Sequence, residues 1–238
     1  MQPTFLPWTG YFALMGEVDA FVFLDDVQFS KQSWQSRNRI LGPNGTVILS
    51  LPVERKPAKP MIRDVRIANL PVKDDLLKRA GGCLGKAPFW SLAEGLLAEA
   101  LDQAAEGLAA TNIAFIRSMS ETLGICPELH RSSELGIPPD EKSLRLLSIC
   151  RSLGADRYLS PVGSADYLSQ ANPFSEDGIR LRFQTFTPLP YAQGKSEFVS
   201  HLSALDALAR IGPEALAGLI RAGTGRARRL EDLNEVPQ

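Results

Sequence analysis

The chain has 238 residues, a mass of 26.0 kDa, 44% hydrophobic and 22% charged residues and a formal net charge of −1. These values describe an ordinary globular protein, either one large domain or one domain with an elaboration. A net charge near zero gives no electrostatic reason for a nucleic-acid or membrane partner. With no signal peptide and no apolar run of transmembrane length, a cytoplasmic protein is expected.

The chain enters a proline- and aromatic-rich loop, QPTFLPW, almost at once. An open α/β fold starts with an apolar strand before its first functional loop, so a strand is expected ahead of Met1. Gly10–Val18 reads as a short amphipathic helix. Ala20–Leu24 (AFVFL) is a continuous apolar run, as in a buried parallel strand, and it ends in Asp25-Asp26. Ligands of open parallel sheets lie beyond the carboxyl ends of the strands. Adjacent strand residues point to opposite faces, so the two acids are expected to differ in role. One would bind Mg²⁺, orient a ribose or act as a base, and the other would cap a loop. The alternative has both capping the turn.

Met1–Arg39 holds eight of the eighteen aromatics, Pro3 and Pro7, the two acids, and the cations Lys31, Arg37 and Arg39. Rings for walls and charges for orientation are what a small-molecule pocket needs. Trp8, Tyr11 and Trp34 are the expected walls. Lys31, Arg37 and Arg39 are the expected anion binders, with Gln2, Gln28 and Asn38 as polar members. The stretch Lys31–Arg66 carries eight Lys/Arg against Glu54 and Asp64, which points to an anionic ligand or to a charged, solvated strand edge.

Arg37–Leu41, the turn Gly42-Pro43-Asn44-Gly45 and Thr46–Val53 form a hairpin signal. A proline-rich connection (Pro57, Pro60) leads to an expected strand at Asp64–Ile67. Helices are expected over Asp74–Gly85, Phe89–Glu106, Leu108–Leu123 and Lys142–Leu153. Arg157–Leu159 reads as a short strand. The loop SPVGS follows, and its Ser160, Gly163 and Ser164 are a weak phosphate-loop signal before a helical turn. Ile179–Phe186 alternates as a strand. Glu197–Ile211 and Glu214–Ala222 read as helices around Gly212-Pro213, with His201 packed or exposed on the first and a charged, frayed tail after Gly225. Cys83, Cys126 and Cys150 have no CxxC spacing and His130 and His201 lie far apart, so neither a disulfide framework nor a metal site is expected.

At QPTFLPWTGYF, FVFLDDVQFSKQSWQSRNRI, YLSPVGSADYL and HLSALDALARIG the chain resembles the WbqC-like protein family, from Gln2 to about Gly212. The resemblance implies a setting among bacterial surface-polysaccharide (O-antigen) biosynthesis and related modifications, and a transferase acting on a sugar or amino-acyl substrate. A second resemblance, at fold level, is to the nucleotidyltransferase-like α/β proteins. Trp8-Thr9-Gly10-Tyr11 stands where they carry His-x-Gly-His, so the glycine matches and both histidines do not. That resemblance implies a nucleotide with Mg²⁺ as cofactor, without the histidines that steady a triphosphate.

The expected fold is α/β: a three-layer, Rossmann-like, mainly parallel sheet in one domain over 1–225. A hairpin over about 37–53 and a helical segment over about 74–125 elaborate it, and a charged tail occupies 226–238. The expected function is transfer of an acyl, amino-acyl or similar group, with Asp25 or Asp26 as base. The alternatives are a nucleotide-dependent ligase or nucleotidyltransferase, and a non-catalytic binding or scaffold protein. Expected partners are a small anionic substrate (nucleotide, sugar or amino-acyl) and either a second copy of the chain or a pathway enzyme.

Overall fold

Phe21 and Phe23 alternate into the core along Ala20–Phe23 (β1), which follows the helix Thr9–Met15 (α1). Their rings meet at 5.2 Å, and burying each contributes roughly 2–3 kcal/mol. The computed structural model describes residues 1–54, 59–68, 71–138, 140, 142–170, 172–194 and 197–235. Pro57, part of the expected proline-rich connection, lies outside the described residues.

The hairpin forms as the sequence predicts. Arg37–Gly42 (β2) pairs antiparallel with Gly45–Ser50 (β3), from Arg37 opposite Ser50 to Gly42 opposite Gly45. Gly45 sits at φ 124°, a conformation that favours glycine. The strand expected at Asp64–Ile67 is instead a 3₁₀ turn at Ile62–Asp64 followed by one bridge between Val53 and Ile67. Val72–Leu84 (α2), Trp90–Asp102 (α3) and Leu108–Thr122 (α4) pack together through Leu76, Ala80, Leu97, Leu101, Ile113 and Ile116.

Two strands were not legible. Glu128–Arg131 (β4) pairs parallel with β1, with Phe23 opposite Arg131. Lys142–Ser152 (α5), Arg157–Ser160 (β5), Ala165–Gln170 (α6) and Arg180–Phe186 (β6) follow, and β5 pairs parallel with β6. Thr224–Arg228 (β7) runs antiparallel along β6, so the chain does not fray directly after Gly225.

The last helix, Ala204–Gly223 (α7), starts later than the expected Glu197, with Ser203 Oγ accepting the Leu205 amide at 3.1 Å. It breaks at Gly212, where φ is 77° and an added Cβ would lie 2.6 Å from the Phe89 ring. The Gly212-Pro213 punctuation is therefore a helix–helix junction wedged by an aromatic ring.

The protein is α/β. Among the described residues its strands form three small sheets, β1–β4, β2–β3 and β5–β6–β7, where the sequence points to one mainly parallel sheet. The core is divided as well. The larger cluster packs α1, β1, the hairpin, α2–α4 and α7. The smaller gathers Leu146, Leu147, Cys150, Leu168, Phe174, Ile179, Leu181 and Phe183. Among the described residues no helix is long and apolar enough to cross a membrane.

Candidate functional site

Two constellations grow from the residues that follow β1. The first is an acid hub at the joint ends of β1 and β4. Asp25 is fully buried. It accepts from Arg131 Nε at 2.8 Å and Nη2 at 2.7 Å, and from the Ser133 hydroxyl at 2.8 Å and amide at 3.1 Å. The Ser132 hydroxyl lies 2.5 Å from Asp26 Oδ1 and 3.3 Å from Asp25 Oδ1. Asp26 also pairs with Arg145, which reaches the Pro138 carbonyl at 3.3 Å.

Parallel pairing of β4 with β1 brings Arg131, Ser132 and Ser133 to these carboxylates across more than a hundred residues of sequence. A buried carboxylate needs this number of donors to remain charged in place. The base or metal work expected of Asp25 therefore has no free oxygen to act with. Asp26 is held by a guanidinium and a hydroxyl. The pair does not fit a Mg²⁺ site, because arginine nitrogens occupy the positions a cation would take. Among the described residues no three His, Cys, Asp or Glu side chains gather as metal ligands.

The second constellation is an open cationic cleft. The Asp25 carbonyl accepts the Arg63 amide at 2.8 Å, Ile62 N donates to the Val27 carbonyl at 2.9 Å, and Phe29 N donates to the Pro60 carbonyl at 2.9 Å. Gln28 and Met61 form a bridge there, so exposed Gln28 serves this pairing through its backbone. The ladder delivers Phe29 and Lys31 to a cleft of about 290 Å³. The opposite wall is the open end of the hairpin, Arg37 and Ser50, and a third wall comes from Val53, Glu54, Val65 and Arg66. Three cations, Lys31, Arg37 and Arg66, stand there against one acid, Glu54. Arg66 spends one nitrogen on the Ala105 carbonyl at 3.2 Å. Among the described residues the side chains of Lys31, Arg37 and Glu54 have no hydrogen bond or ion pair.

The loop over 30–35 that holds Lys31 is pinned from inside. Buried Gln35 accepts the Ser30 amide at 2.9 Å and donates to Gln2 Oε1 at 2.8 Å. Asn112, buried on α4, donates to the carbonyls of Pro3 at 3.0 Å and Gln35 at 2.8 Å. Gln2 thus supports the loop, and neither Gln35 nor Asn112 carries any sequence signal beyond being polar.

Other expected site residues lie elsewhere. Tyr11 is a core residue, packed against Phe12 and Phe21 with its hydroxyl donating to the Gln2 carbonyl at 3.2 Å. Burial pushes its phenol well above the usual range. Asn38 points inward from β2, as the alternation of a strand dictates. Its amide donates to the carbonyls of Phe5 at 3.1 Å and Leu6 at 2.8 Å, holding Leu6 at φ 46°. Arg39 shares Arg37's face but turns away from the cleft. Its guanidinium sits 5.5 Å over the half-exposed Trp34 ring and donates to the His201 carbonyl at 3.3 Å.

His201 precedes α7, at φ 57°, and its ring stacks on Trp8 at 4.8 Å. Trp8 lies over Gly10, where an added Cβ would meet its ring at 2.3 Å, and edge-on to Phe186. Tryptophan packing therefore accounts for the glycine at position 10. Ser160 is buried at the end of β5, and Gly163 and Ser164 form a 3₁₀ turn before the six-residue α6. This loop is not among the residues lining the cleft.

Missed acids and bases follow one pattern. Arg131 and Arg145 complete the hub. Asp206, buried on α7, accepts from the Leu41 amide at 2.7 Å, Tyr191 at 2.9 Å and Arg210 at 2.9 Å, which locks the hairpin onto the helix. Nothing local marks Arg131 and Arg145, which find their partners through the fold, whereas Asp206 stands four residues before Arg210 on one helix, a spacing the sequence does show.

The fold and site define an α/β protein with a closed acid hub at its parallel strand ends and an open cationic cleft beside it. The chain belongs to the WbqC-like protein family, whose model matches residues 2–217. It is 29% identical over 222 residues to Rv1507c, an uncharacterized protein of Mycobacterium tuberculosis, across 90% of this chain and 94% of that one. No solved structure matches.

Proposed function

We propose that this protein binds a small anionic metabolite of the nucleotide, sugar or amino-acyl class in the Lys31–Arg37–Arg66 cleft, and transfers a group from or to it in bacterial glycan or secondary-metabolite biosynthesis. One observation carries the reading: among the described residues Asp25, Asp26 and Asp206 are paired with arginines, whereas the side chains of Lys31 and Arg37 stand in a recess with no partner. Three cations held together against a single acid favour a ligand that supplies further negative charge. The family resemblance supports the pathway. Transfer requires a base to take the acceptor's proton as the new bond forms, and Glu54 is the acid at hand in the lining of the cleft. The fold reads as Rossmann-like, with the parallel pairs β1–β4 and β5–β6 as two parts of one sheet.

A non-catalytic binder is the second reading, favoured by the full pairing of Asp25 and Asp26. Calorimetric titration with pyrophosphate and with nucleotide sugars tests binding. Lys31→Ala and Arg37→Ala should each weaken the affinity roughly ten-fold, because a charge-assisted contact is worth about 1.5–3 kcal/mol. Equal affinity in the double variant sinks the cleft. Binding with no turnover of any donor–acceptor pair leaves the binder.

A further inference from the structure

Three residues other than glycine have positive φ among the described residues: Leu6 at 46°, Gln32 at 57° and His201 at 57°. All three abut β2. Gln32 lines the cleft with Arg37, the Leu6 carbonyl is held by Asn38, and the His201 carbonyl accepts Arg39. Backbone in this region costs free energy, and such residues cluster where a site must be held in shape. The cleft accounts for Gln32 and the Asn38 bond for Leu6. His201 stands at the far end of the same strand, outside the cleft.

The hairpin face that carries Arg37 and Arg39 has two halves, roughly 7 Å apart along the strand. Arg37 lies opposite Ser50, and this half belongs to the cleft. Arg39 lies opposite Ile48, and here the fold leaves two apolar side chains open, Ile48 at 47% and Trp34 at 51% exposure. The Arg39 guanidinium has no acid partner among the described residues. Its Nε is buried without a partner, and its bond to His201 is a long one, at 3.3 Å. So incompletely satisfied a guanidinium adds little to stability. Beyond it the His201 ring is exposed yet fixed twice. It stacks on Trp8 at 4.8 Å, and its Nδ1 lies 2.8 Å from Ser200 Oγ. Its Nε2 has no partner among the described residues.

We propose that Trp34, Arg39 and His201 form a subsite for the base of a nucleotide whose phosphates lie in the Lys31–Arg37–Arg66 cleft. The base stacks on the open Trp34 ring, and Arg39 and His201 Nε2 meet its polar edge. The distance between the two halves leaves room for one ribose between phosphate and base. Three observations carry the proposal: an exposed aromatic ring beside a guanidinium with no acid, an imidazole oriented from two sides with one nitrogen free, and backbone strain at His201. The inference rests on the anion reading of the cleft and narrows it to a nucleotide. It also explains why Arg39 turns from the cleft, since the other half of the ligand lies on its side.

Calorimetric titration with pyrophosphate, UDP, ADP and glucose 1-phosphate tests the subsite. UDP or ADP should bind roughly 5- to 150-fold tighter than pyrophosphate, as one stacked base contributes. Trp34→Ala should abolish that gain and leave pyrophosphate affinity unchanged, which also shows that the variant is folded. Trp34→Phe should restore most of the gain. His201→Gln should weaken nucleotide binding roughly 3- to 10-fold and leave pyrophosphate binding alone. Nucleotide should quench tryptophan fluorescence, and Trp34→Ala should remove the quench. If pyrophosphate binds through Lys31 and nucleotides bind no tighter, or their gain survives Trp34→Ala, the subsite is overturned and the cleft stands. A Trp34-dependent gain for glucose 1-phosphate and none for either nucleotide overturns the base as occupant. Nucleotide binding that needs Trp34 but neither Lys31 nor Arg37 overturns the cleft and leaves the ring subsite. No binding of any probe overturns both.

Discussion

At the end of β1 the carboxylates are matched to guanidinium and hydroxyl groups, whereas six residues after Asp25 the ammonium of Lys31 has no partner among the described residues. Both regions looked alike in sequence: short runs of charge among aromatics. The fold separates them by burial. Inside, an unpaired charge is untenable, so Asp25 and Asp26 are there because Arg131, Arg145, Ser132 and Ser133 are. At the cleft, solvent tolerates unpaired cations, so their convergence is free to serve a ligand. Pairing, more than charge itself, distinguishes the hub from the cleft.

The largest effect that would break this comparison is at Asp25. Asp25→Ala leaves Arg131 and two seryl hydroxyls facing a void, and should destabilise the protein by about 3–5 kcal/mol. Urea unfolding measures it. A loss under about 1 kcal/mol, or a protein of full stability that no longer turns over substrate, would return Asp25 to the catalytic role expected from sequence.

Next comes Asn38, which lies between the two arginines in sequence and points the opposite way. Asn38→Leu strands the carbonyls of Phe5 and Leu6 and should lower stability by about 2 kcal/mol with unchanged anion affinity. If affinity falls with stability unchanged, Asn38 contacts ligand and the inside–outside division of β2 is wrong.

The sequence made legible whatever its local pattern dictates. AFVFL could only be a buried strand, Gly42-Pro43-Asn44-Gly45 could only turn, and leucine and alanine at helical spacing placed α2 to α5 within a few residues. β4 escaped because ELHR has neither alternation nor apolar bulk and is a strand only by pairing with β1. β7 escaped because TGRAR reads as a charged tail and lies on β6 at the sheet's edge. The site divided in the same way. The excess of cations over Lys31–Arg66 marked the cleft and named Lys31 and Arg37. It could not say that Arg39 would turn to Trp34 and His201, because that choice depends on a loop 162 residues away. Tyr11 and Asn38 were misplaced for one reason: polar atoms on an aromatic or strand residue look like ligand contacts until the backbone carbonyls they satisfy are known.

The smallest effect is the most discriminating, and it concerns Glu54. Glu54 lines the cleft exposed and unpaired among the described residues, so Glu54→Gln should change stability by no more than about 0.5 kcal/mol. It removes the one negative charge that opposes an anion among three cations. Pyrophosphate affinity should therefore hold or rise, by at most roughly three-fold for an exposed charge in high dielectric. If Glu54 is the base, turnover should fall by about 10²–10⁴ while binding holds. The cleft cations predict the sign of the binding change, and the base predicts the loss of rate, so the two parts of the site fail separately. Weaker anion binding in Glu54→Gln would mean that Glu54 positions Lys31 or Arg37 after all, and that the open cleft is a second paired network like the hub.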